Sequence, residues 1–203
     1  MSVNASPNGN PSGVSEQRST ILAAAIEILH ARGAGALTVR SVANAAGCST
    51  TGVYTWFGGK NGLVDAIFMD GFRRFGATLH AARAAARADT PLAGLADAYR
   101  DWALANPTHY MVMFGRAVPD FEPSDEAIAI ARGTFATLVD VAAITIRDGD
   151  VVGAPDDVAH HLWAGMHGYV SLELAGMDMA RSAEERAVRF QQGLRRLLRG
   201  LRT

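Results

Sequence analysis

Cysteine and lysine are almost absent from this chain of 203 residues, which contains only Cys48 and Lys60 of these two types. A single cysteine excludes an internal disulfide framework and favours a reducing compartment. No apolar run reaches the length that spans a bilayer, and residues 1–17 lack the basic and apolar segments of a secretory signal. We therefore expect a cytoplasmic protein with no membrane segment.

An excess of positive charge, common in nucleic-acid-binding domains, is also missing. The chain has 19 lysines and arginines against 20 aspartates and glutamates, which gives a net charge of −1. Between residues 15 and 70, four cations balance four acids. Any affinity for DNA must therefore come from the placement of a few cations, hydroxyl groups and helix N-termini.

Motifs for catalysis and metal binding are missing as well. The sequence has no P-loop and no Gly-x-Ser-x-Gly motif. His160, His161 and His167 share one predicted helix, but no cysteine or carboxylate completes a metal site, so packed histidines are the stronger interpretation. We expect no enzymatic activity, no cofactor and no metal.

Apolar residues recur at helical spacing through most of the chain, and no sustained alternation indicates a strand, which favours an all-α fold. Residues 1–14 are rich in Ser, Asn, Gly and Pro and are predicted to form a disordered tail. Ser182 and Glu185 make a candidate capping box. Helices are predicted over residues 15–32, 39–46, 50–57, 60–87, 91–105, 108–114, 125–148, 155–175 and 183–201.

Two short helices joined by a tight turn stand out within residues 37–68. Thr38 is placed to cap the first, and Gly47 ends it because glycine accepts the left-handed conformation of a helix C-terminus. Ser49 or Thr50 caps the second, which a Gly-Gly pair stops. This arrangement is a helix-turn-helix, whose second helix is shaped to enter the major groove of DNA.

The segment from Thr38 to Leu63 follows the order Thr-Val-Arg-x-Val-Ala-x-Ala-Ala-Gly-x-Ser-x-x-x-Val-Tyr-x-x-Phe-x-x-Lys-x-x-Leu. It resembles the DNA-binding domain of the TetR family of bacterial transcriptional repressors, and the resemblance covers roughly residues 16–70. It implies an N-terminal three-helix helix-turn-helix domain over residues 15–70. A C-terminal helical bundle for ligand binding and dimerisation would follow over residues 71–203.

The resemblance, together with the outward positions of the second helix, places nine residues at DNA. Tyr54 corresponds to a family tyrosine whose hydroxyl contacts phosphate. Lys60, which also matches the family motif, lies at a helix N-terminus, where free N–H groups and the helix dipole attract phosphate. Trp56 departs from the family pattern, and covering the DNA backbone or packing on the next helix are equally good interpretations. The expected DNA-binding residues are Thr38, Arg40, Ser49, Thr50, Thr51, Tyr54, Thr55, Trp56 and Lys60.

The recognition helix carries no arginine, asparagine or glutamine, which are the commonest readers of guanine and adenine. We therefore expect an operator that is recognised partly through hydroxyl groups, methyl contacts, water and DNA shape.

A second, shorter resemblance lies in the C-terminal half, where Trp163, His167 and Gly168 follow the Trp-x-x-x-His-Gly signature of a TetR subfamily. Aromatic and methionine side chains are concentrated on the surrounding helices and suit either an ordinary core or a pocket. The resemblance favours a cavity for a small hydrophobic or aromatic effector. Its expected lining is Tyr99, Trp102, Tyr110, Met113, Phe114, Phe121, Phe135, Trp163, Met166 and His167.

The last two helices offer a surface for a homodimer, which would place two recognition helices on the half-sites of a palindromic operator in double-stranded DNA. We therefore expect a ligand-responsive regulator of the repressor type. Two alternatives remain: a regulator whose bundle serves only dimerisation or a protein partner, and an all-helical enzyme or carrier that no longer binds DNA. The candidate interface residues are Val158, Leu162, Gly165, Val170, Leu174, Val188, Leu194, Leu197 and Leu198.

Overall fold

The computed structural model describes residues 11–86, 91–149 and 151–202, and every regular element in these ranges is helical, which confirms the all-α prediction. A short 3-10 turn, Ala34–Ala36, connects the first two helices. The helices are α1 (Pro11–Arg32), α2 (Val39–Ala45), α3 (Thr50–Phe57), α4 (Lys60–Ala85), α5 (Pro91–Ala105), α6 (Pro107–Phe114), α7 (Asp125–Arg147), α8 (Pro155–Leu174) and α9 (Ala183–Gly200).

The N-terminal boundary differs from the prediction. Helix α1 begins at Pro11, so it includes residues 11–14 of the expected tail. Proline suits a first helical position because its φ matches the helix and its missing N–H would be unpaired there. Residues 1–10, the rest of that expected tail, lie outside the described residues, as do residues 87–90 at the end of the predicted connecting helix.

Helix α4 connects the N-terminal helices, which we call the head (α1–α3), with the C-terminal bundle (α5–α9). It begins at Lys60 beside α3 and ends at Ala85, and along the way it packs against α1, α5, α6 and α7. Leu63 and Phe75 are both buried in one core that is continuous along the helix. A single helix therefore runs through the expected domain boundary at residue 70.

Two glycines of α4 allow neighbouring helices to approach closely. A Cβ atom added at Gly71 would lie 2.6 Å from the Met113 sulfur of α6, and one at Gly76 would lie 3.0 Å from the Thr134 hydroxyl of α7. Both glycines lie inside an uninterrupted helix. Their role in this fold is therefore to let α6 and α7 pack against the α4 backbone.

A buried group of ion pairs joins α5, α8 and α9. Arg100 donates through Nε and Nη2 to the two oxygens of the Glu173 carboxylate at 2.9 and 2.7 Å. Arg186 Nε donates to the same carboxylate at 3.0 Å. The side chains of Arg100 and Glu173 are only 11% and 12% exposed, so solvent screens this pair weakly.

The predicted capping box of α9 is half formed. Ser182 Oγ accepts a hydrogen bond from the Glu185 amide at 3.1 Å, as the motif requires. The Glu185 carboxylate, however, accepts from the Arg181 amide at 2.8 Å, and also pairs with Arg189 at 2.9 Å. Arg189, one turn further along the helix, gives this carboxylate a second partner. The second bond of the capping box therefore comes from the Arg181 amide, one residue before the Ser182 amide that the motif requires.

Helix α7 corrects the expectation that no segment is long and apolar enough to cross a membrane. Within the described ranges this one helix, Asp125–Arg147, passes that test by length and composition. A core helix of a soluble protein has the same properties, and α7 packs against α4 and α8 through buried residues such as Leu138 and Val141.

Candidate DNA interface and ligand cavity

Helix α3 is held in place by its two ends and by its inner face. Ser49 Oγ accepts from the Gly52 amide at 3.1 Å and caps the N-terminus, while Gly58, with a left-handed φ of 69°, ends the helix. Val53 and Phe57 are buried at 0% and 8% exposure, four residues apart as the helical period requires. The opposite face of α3 is therefore fixed toward solvent.

The outward face of α3 carries hydroxyl groups and one aromatic ring. Thr50, Thr51 and Thr55 are exposed, and Tyr54 is 56% exposed. The Tyr54 ring lies close to the backbone of Gly59, where an added Cβ would be 3.3 Å from the ring. This contact supports one side of the ring, while more than half of the residue stays exposed.

Thr38, Thr55 and Trp56, which are also among the expected DNA-binding residues, have local contacts of their own. Thr38 Oγ1 accepts from the Ser41 amide and donates to Ser41 Oγ, both at 3.0 Å, so its hydroxyl proton is committed to capping α2. Thr55 Oγ1 donates to the Thr51 carbonyl at 2.9 Å and retains only acceptor capacity. Trp56 is half-buried and packs against the core, which favours the packing interpretation over the DNA-covering one.

The cations of the head, and Lys60 at the start of α4, lack carboxylate partners among the described residues. Arg40 is exposed beside the α2 N-terminus. Lys60 Nζ donates to the Ala34 carbonyl at 3.4 Å, which uses one of its three N–H groups. The Arg18 guanidinium lies 5.2 Å from the centroid of the Phe57 ring. These positive charges therefore remain available for phosphate.

A cavity of about 290 Å³ lies among α4, α5, α6, α7 and α8. Its wall is mostly aliphatic and aromatic. The lining residues are Phe72, Phe75, Leu79, Leu95, Tyr99, Phe114, Ala131, Arg132, Thr134, Phe135, Leu138, His160, Trp163 and Met166. Its size lies at the lower limit of small-molecule sites.

Half of the residues expected at the cavity reach it, and half lie behind its wall. The expected residues on the wall are Tyr99, Phe114, Phe135, Trp163 and Met166. Trp102 instead packs on Phe75 at 4.9 Å, Phe121 lies 6.0 Å from Phe68, and Met113 contacts Gly71. Tyr110 and His167 form a second layer behind Tyr99.

Helix α4, which was not among the expected lining, contributes Phe72, Phe75 and Leu79 to the cavity wall. Their three- and four-residue spacing indicates one buried helix face, and that signal is present in the sequence. The spacing does not distinguish a face that meets a void from one that meets solid core. His160, treated as a packed histidine, lines the cavity with its ring 5.7 Å from Trp163.

Hydrogen bonds connect the cavity wall to α8 through a second layer. Tyr99 and Tyr110 share a bond of 2.8 Å between their hydroxyls, Tyr110 bonds His167 Nδ1 at 2.7 Å, and His167 Nε2 bonds Ser171 at 3.3 Å. Burial raises the pKa of Tyr99 far above its usual range and raises that of Tyr110 to about 12. Burial lowers the pKa of His167. The side chains of this hydrogen-bonded row are therefore neutral at physiological pH.

Several candidate dimer residues are buried within the chain itself. Val158, Leu162, Val170 and Leu194 are all less than 5% exposed because α8 and α9 pack on the bundle, so the expectation that they form an intermolecular surface was wrong. The outward face of α8 instead carries His161, Ala164, Gly168 and Leu172, and that of α9 carries Val188, Gln192, Arg195 and Arg199.

Two family models match most of the chain. Residues 21–67 match bacterial regulatory proteins of the tetR family, and residues 92–197 match the tetracyclin repressor-like C-terminal domain. The chain belongs to the TetR family. It is therefore a transcriptional regulator with an N-terminal helix-turn-helix, and the resemblance carried by residues 38–63 is confirmed.

Individual relatives agree with this assignment. The chain is 26% identical over 197 residues to the HTH-type transcriptional regulator Rv1816 of Mycobacterium tuberculosis, covering 82% of this chain and 84% of that protein. The crystal structure of the regulatory protein SCO4313 matches this TetR-family chain with a TM-score of 0.79 and 30% identity, over 94% of this chain and 99% of that one. A tetR-family regulator from Rhodococcus RHA1 shares the fold, with a TM-score of 0.67 at 23% identity over 92% and 97% of the two chains.

Proposed function

We propose that this TetR-family regulator is a repressor that binds a near-palindromic operator as a homodimer and leaves DNA when a small hydrophobic effector fills the cavity. The observation that carries this proposal is the course of α4. Its first residue, Lys60, contacts the Ala34 carbonyl beside the head, whereas Phe72, Phe75 and Leu79 line the cavity. About 18 Å of continuous helix separates Lys60 from Phe72, at 1.5 Å per residue.

The DNA contacts follow from the exposed face of the head. The Tyr54 hydroxyl and Lys60 bind phosphate, and Arg40 adds a further positive charge. The hydroxyls and methyl groups of Thr50 and Thr51 face the base edges, where methyl contacts favour thymine. Ser49 and Thr38 contribute by capping the helices that present these groups, and Trp56 supports α3 from the side of the core.

Effector binding acts through the walls that α4 shares with the bundle. A ligand between α4 and α7 changes how α4 packs, and the continuous helix carries the displacement to the head. Only a modest energy is required, because a coupling of about 1–3 kcal/mol changes DNA affinity by about 5- to 150-fold. This chain performs no enzymatic reaction and works in the cytoplasm, where its operator is.

The homodimer forms through the outward faces of α8 and α9. Ala164 and Gly168 are small and exposed, and a Cβ added at Gly168 would meet no atom within 4 Å. A stripe of small residues lets a second helix approach closely, as in a four-helix bundle. Leu172 and Val188, exposed at 49% and 54%, supply apolar area on the same surface.

DNA binding is tested by fluorescence anisotropy of the purified protein on the DNA immediately upstream of its coding region, across a salt series. We expect tight, salt-sensitive binding that exceeds binding to scrambled DNA. Lys60→Ala and Tyr54→Phe should each weaken it about tenfold, whereas Arg147→Gln, an exposed change in the bundle, should leave it unchanged. Weak binding without sequence preference, here and in selection from random DNA, would contradict the regulator's proposed operator contacts.

The dimer surface is tested with Gly168→Arg, which introduces a large charged side chain where the chain itself leaves open space. We expect a folded monomer by circular dichroism and sedimentation, with a large loss of operator affinity because one head holds only one half-site. The matched control, Gly94→Arg, also enters open space but lies on α5, and it should remain dimeric. A dimer that survives Gly168→Arg would place the interface elsewhere.

A further inference from the structure

One cation lies on the wall of the apolar cavity without a partner. Arg132 of α7 lines the cavity and is exposed, and it forms no hydrogen bond or ion pair with any residue that the structure describes. Two of the acids on its helix are committed elsewhere. Glu126 pairs with an arginine of α4 at 3.2 Å, and Asp140 pairs with another at 2.6 Å.

The other polar groups on the cavity wall form hydrogen bonds or, in the case of His160, a ring contact. The Thr134 hydroxyl lies within hydrogen-bonding distance of the Phe72 and Ile130 carbonyls, at 3.3 and 3.2 Å. The Tyr99 hydroxyl is bonded to Tyr110, and the His160 ring packs edge-on against Trp163. Arg132 is therefore the group on this wall that carries a permanent positive charge, and its hydrogen-bond donors have no partner among the described residues.

We propose that the effector is an amphiphile with one anionic head group, such as a carboxylate or sulfonate, which Arg132 binds at the cavity rim. This rests on the proposed function of the cavity as an effector site. The guanidinium presents planar, paired N–H donors that match two oxygens of such an anion. The apolar part of the ligand lies against Phe135 and Trp163, whose rings are 6.0 Å apart across α7 and α8.

The charge on Arg132 determines selectivity, while burial of the apolar part supplies most of the affinity. A neutral ligand of the same shape would bury the same apolar area, at about 25 cal/mol per Å², but would gain no ion pair. Because Arg132 is exposed, solvent screens the pair, and we expect a preference for the anion of about five- to tenfold.

The proposal is tested with two fluorescent probes that differ by one charged group. These are 8-anilinonaphthalene-1-sulfonate, an anion, and N-phenyl-1-naphthylamine, its neutral counterpart. Both are titrated into the full-length protein and into its Ala131→Trp variant, in which the larger side chain fills the cavity from its own wall. The fluorescence that this substitution removes is counted as binding in the cavity. This correction excludes dye bound elsewhere on the molecule.

We expect Arg132→Gln to weaken the sulfonate about five- to tenfold and to change the neutral dye less than twofold. Arg132→Lys should fall between wild type and Arg132→Gln, because an ammonium retains the charge without the paired donors. Arg147→Gln, on the same helix but away from the cavity, should leave both dyes unchanged. Raising the salt concentration should weaken only the sulfonate.

Equal losses for both dyes in Arg132→Gln would mean that Arg132 only shapes the wall, and an unchanged sulfonate affinity would equally overturn the proposal. Both results leave the cavity as a site for neutral effectors. If Ala131→Trp removes no fluorescence from either dye, the cavity binds neither, and the effector-released mechanism falls together with this proposal. Operator binding that depends on Tyr54 and Lys60 would stand in all three cases.

Discussion

The head and the bundle hold their functional side chains in place over very different distances along the chain. In the head, Thr38 caps α2 through Ser41, three residues away. In the bundle, Arg100 reaches Glu173 across 73 residues. A surface made by short-range contacts depends on its own segment, whereas a cavity made by long-range contacts depends on the packing of five helices at once. This difference predicts that the effect of a single substitution stays local in the head and extends to several helices in the bundle.

The largest effect is expected at the buried carboxylate. Glu173→Ala would leave the Arg100 guanidinium buried without its partner, and we expect a loss of about 3 kcal/mol in the free energy of unfolding. The matched change, Glu126→Ala, removes an exposed partner of Arg73 and should cost less than about 1 kcal/mol. Urea unfolding at fixed protein concentration measures both. Equal losses in the free energy of unfolding would contradict the expected difference between the buried Arg100–Glu173 pair and the exposed Arg73–Glu126 pair.

A close helix contact in the bundle should give the next largest effect. A Cβ added at Gly193 of α9 would lie 2.1 Å from the Tyr169 hydroxyl of α8, so Gly193→Ala must move the ring or the helix. Overpacking of this kind costs about 1–3 kcal/mol. Gly200→Ala, on the same helix where an added Cβ meets no atom within 4 Å, provides the control in thermal unfolding. A neutral Gly193→Ala would show that α8 and α9 adjust freely.

A local change in the head should cost less and stay local. Thr38→Ala removes the side-chain cap of α2, at a cost of about 1 kcal/mol, while Thr38→Ser retains the hydroxyl and should recover most of it. Hydrogen exchange should show faster opening of the Ser41 amide in Thr38→Ala with unchanged exchange in α7 and α8. Faster exchange throughout the bundle would contradict the separation of the two regions.

The smallest effect concerns pH. Burial lowers the pKa of His167, so the folded chain binds this proton less readily than the unfolded chain, whose histidine titrates near about 6.5. The contribution of this site to the free energy of unfolding is therefore complete above that pH. It decreases as the pH is lowered further, and it stops changing once the pH is below the pKa of the folded state. His167→Gln should flatten the stability profile between pH 7 and 5. His161→Gln, on the outward face of the same helix, should keep the wild-type slope.

The same difference in contact distance explains what could be predicted from the sequence. The helix-turn-helix was predictable because its caps, turn and buried positions all lie within residues 37–68, where spacing alone determines which side chains share a face. The inward direction of Val53 and the capping by Ser49 follow from that spacing. The bond from the Thr55 hydroxyl to the Thr51 carbonyl does not, since it depends on a rotamer within the helix.

The cavity was only partly predictable, because composition identifies aromatic residues without showing which side of a wall they occupy. Phe135 and Trp163 face the void, whereas Trp102, with the same chemistry, packs against Phe75 from the other side. Arg132 had no signal in the sequence, because neither its position on the cavity wall nor the pairing of Glu126 and Asp140 with α4 follows from spacing along the chain. Such relations exist only once the helices have packed.

The outward threonines of α3 have a consequence for how this regulator can diverge in evolution. Thr50 and Thr51 contribute nothing to the buried core, while Val53 and Phe57 hold the helix from the opposite face. A duplicated gene could therefore exchange the outward residues, and acquire a new target promoter, at little cost in stability. Its response to the original effector would be inherited unchanged, so new circuits can arise from few substitutions.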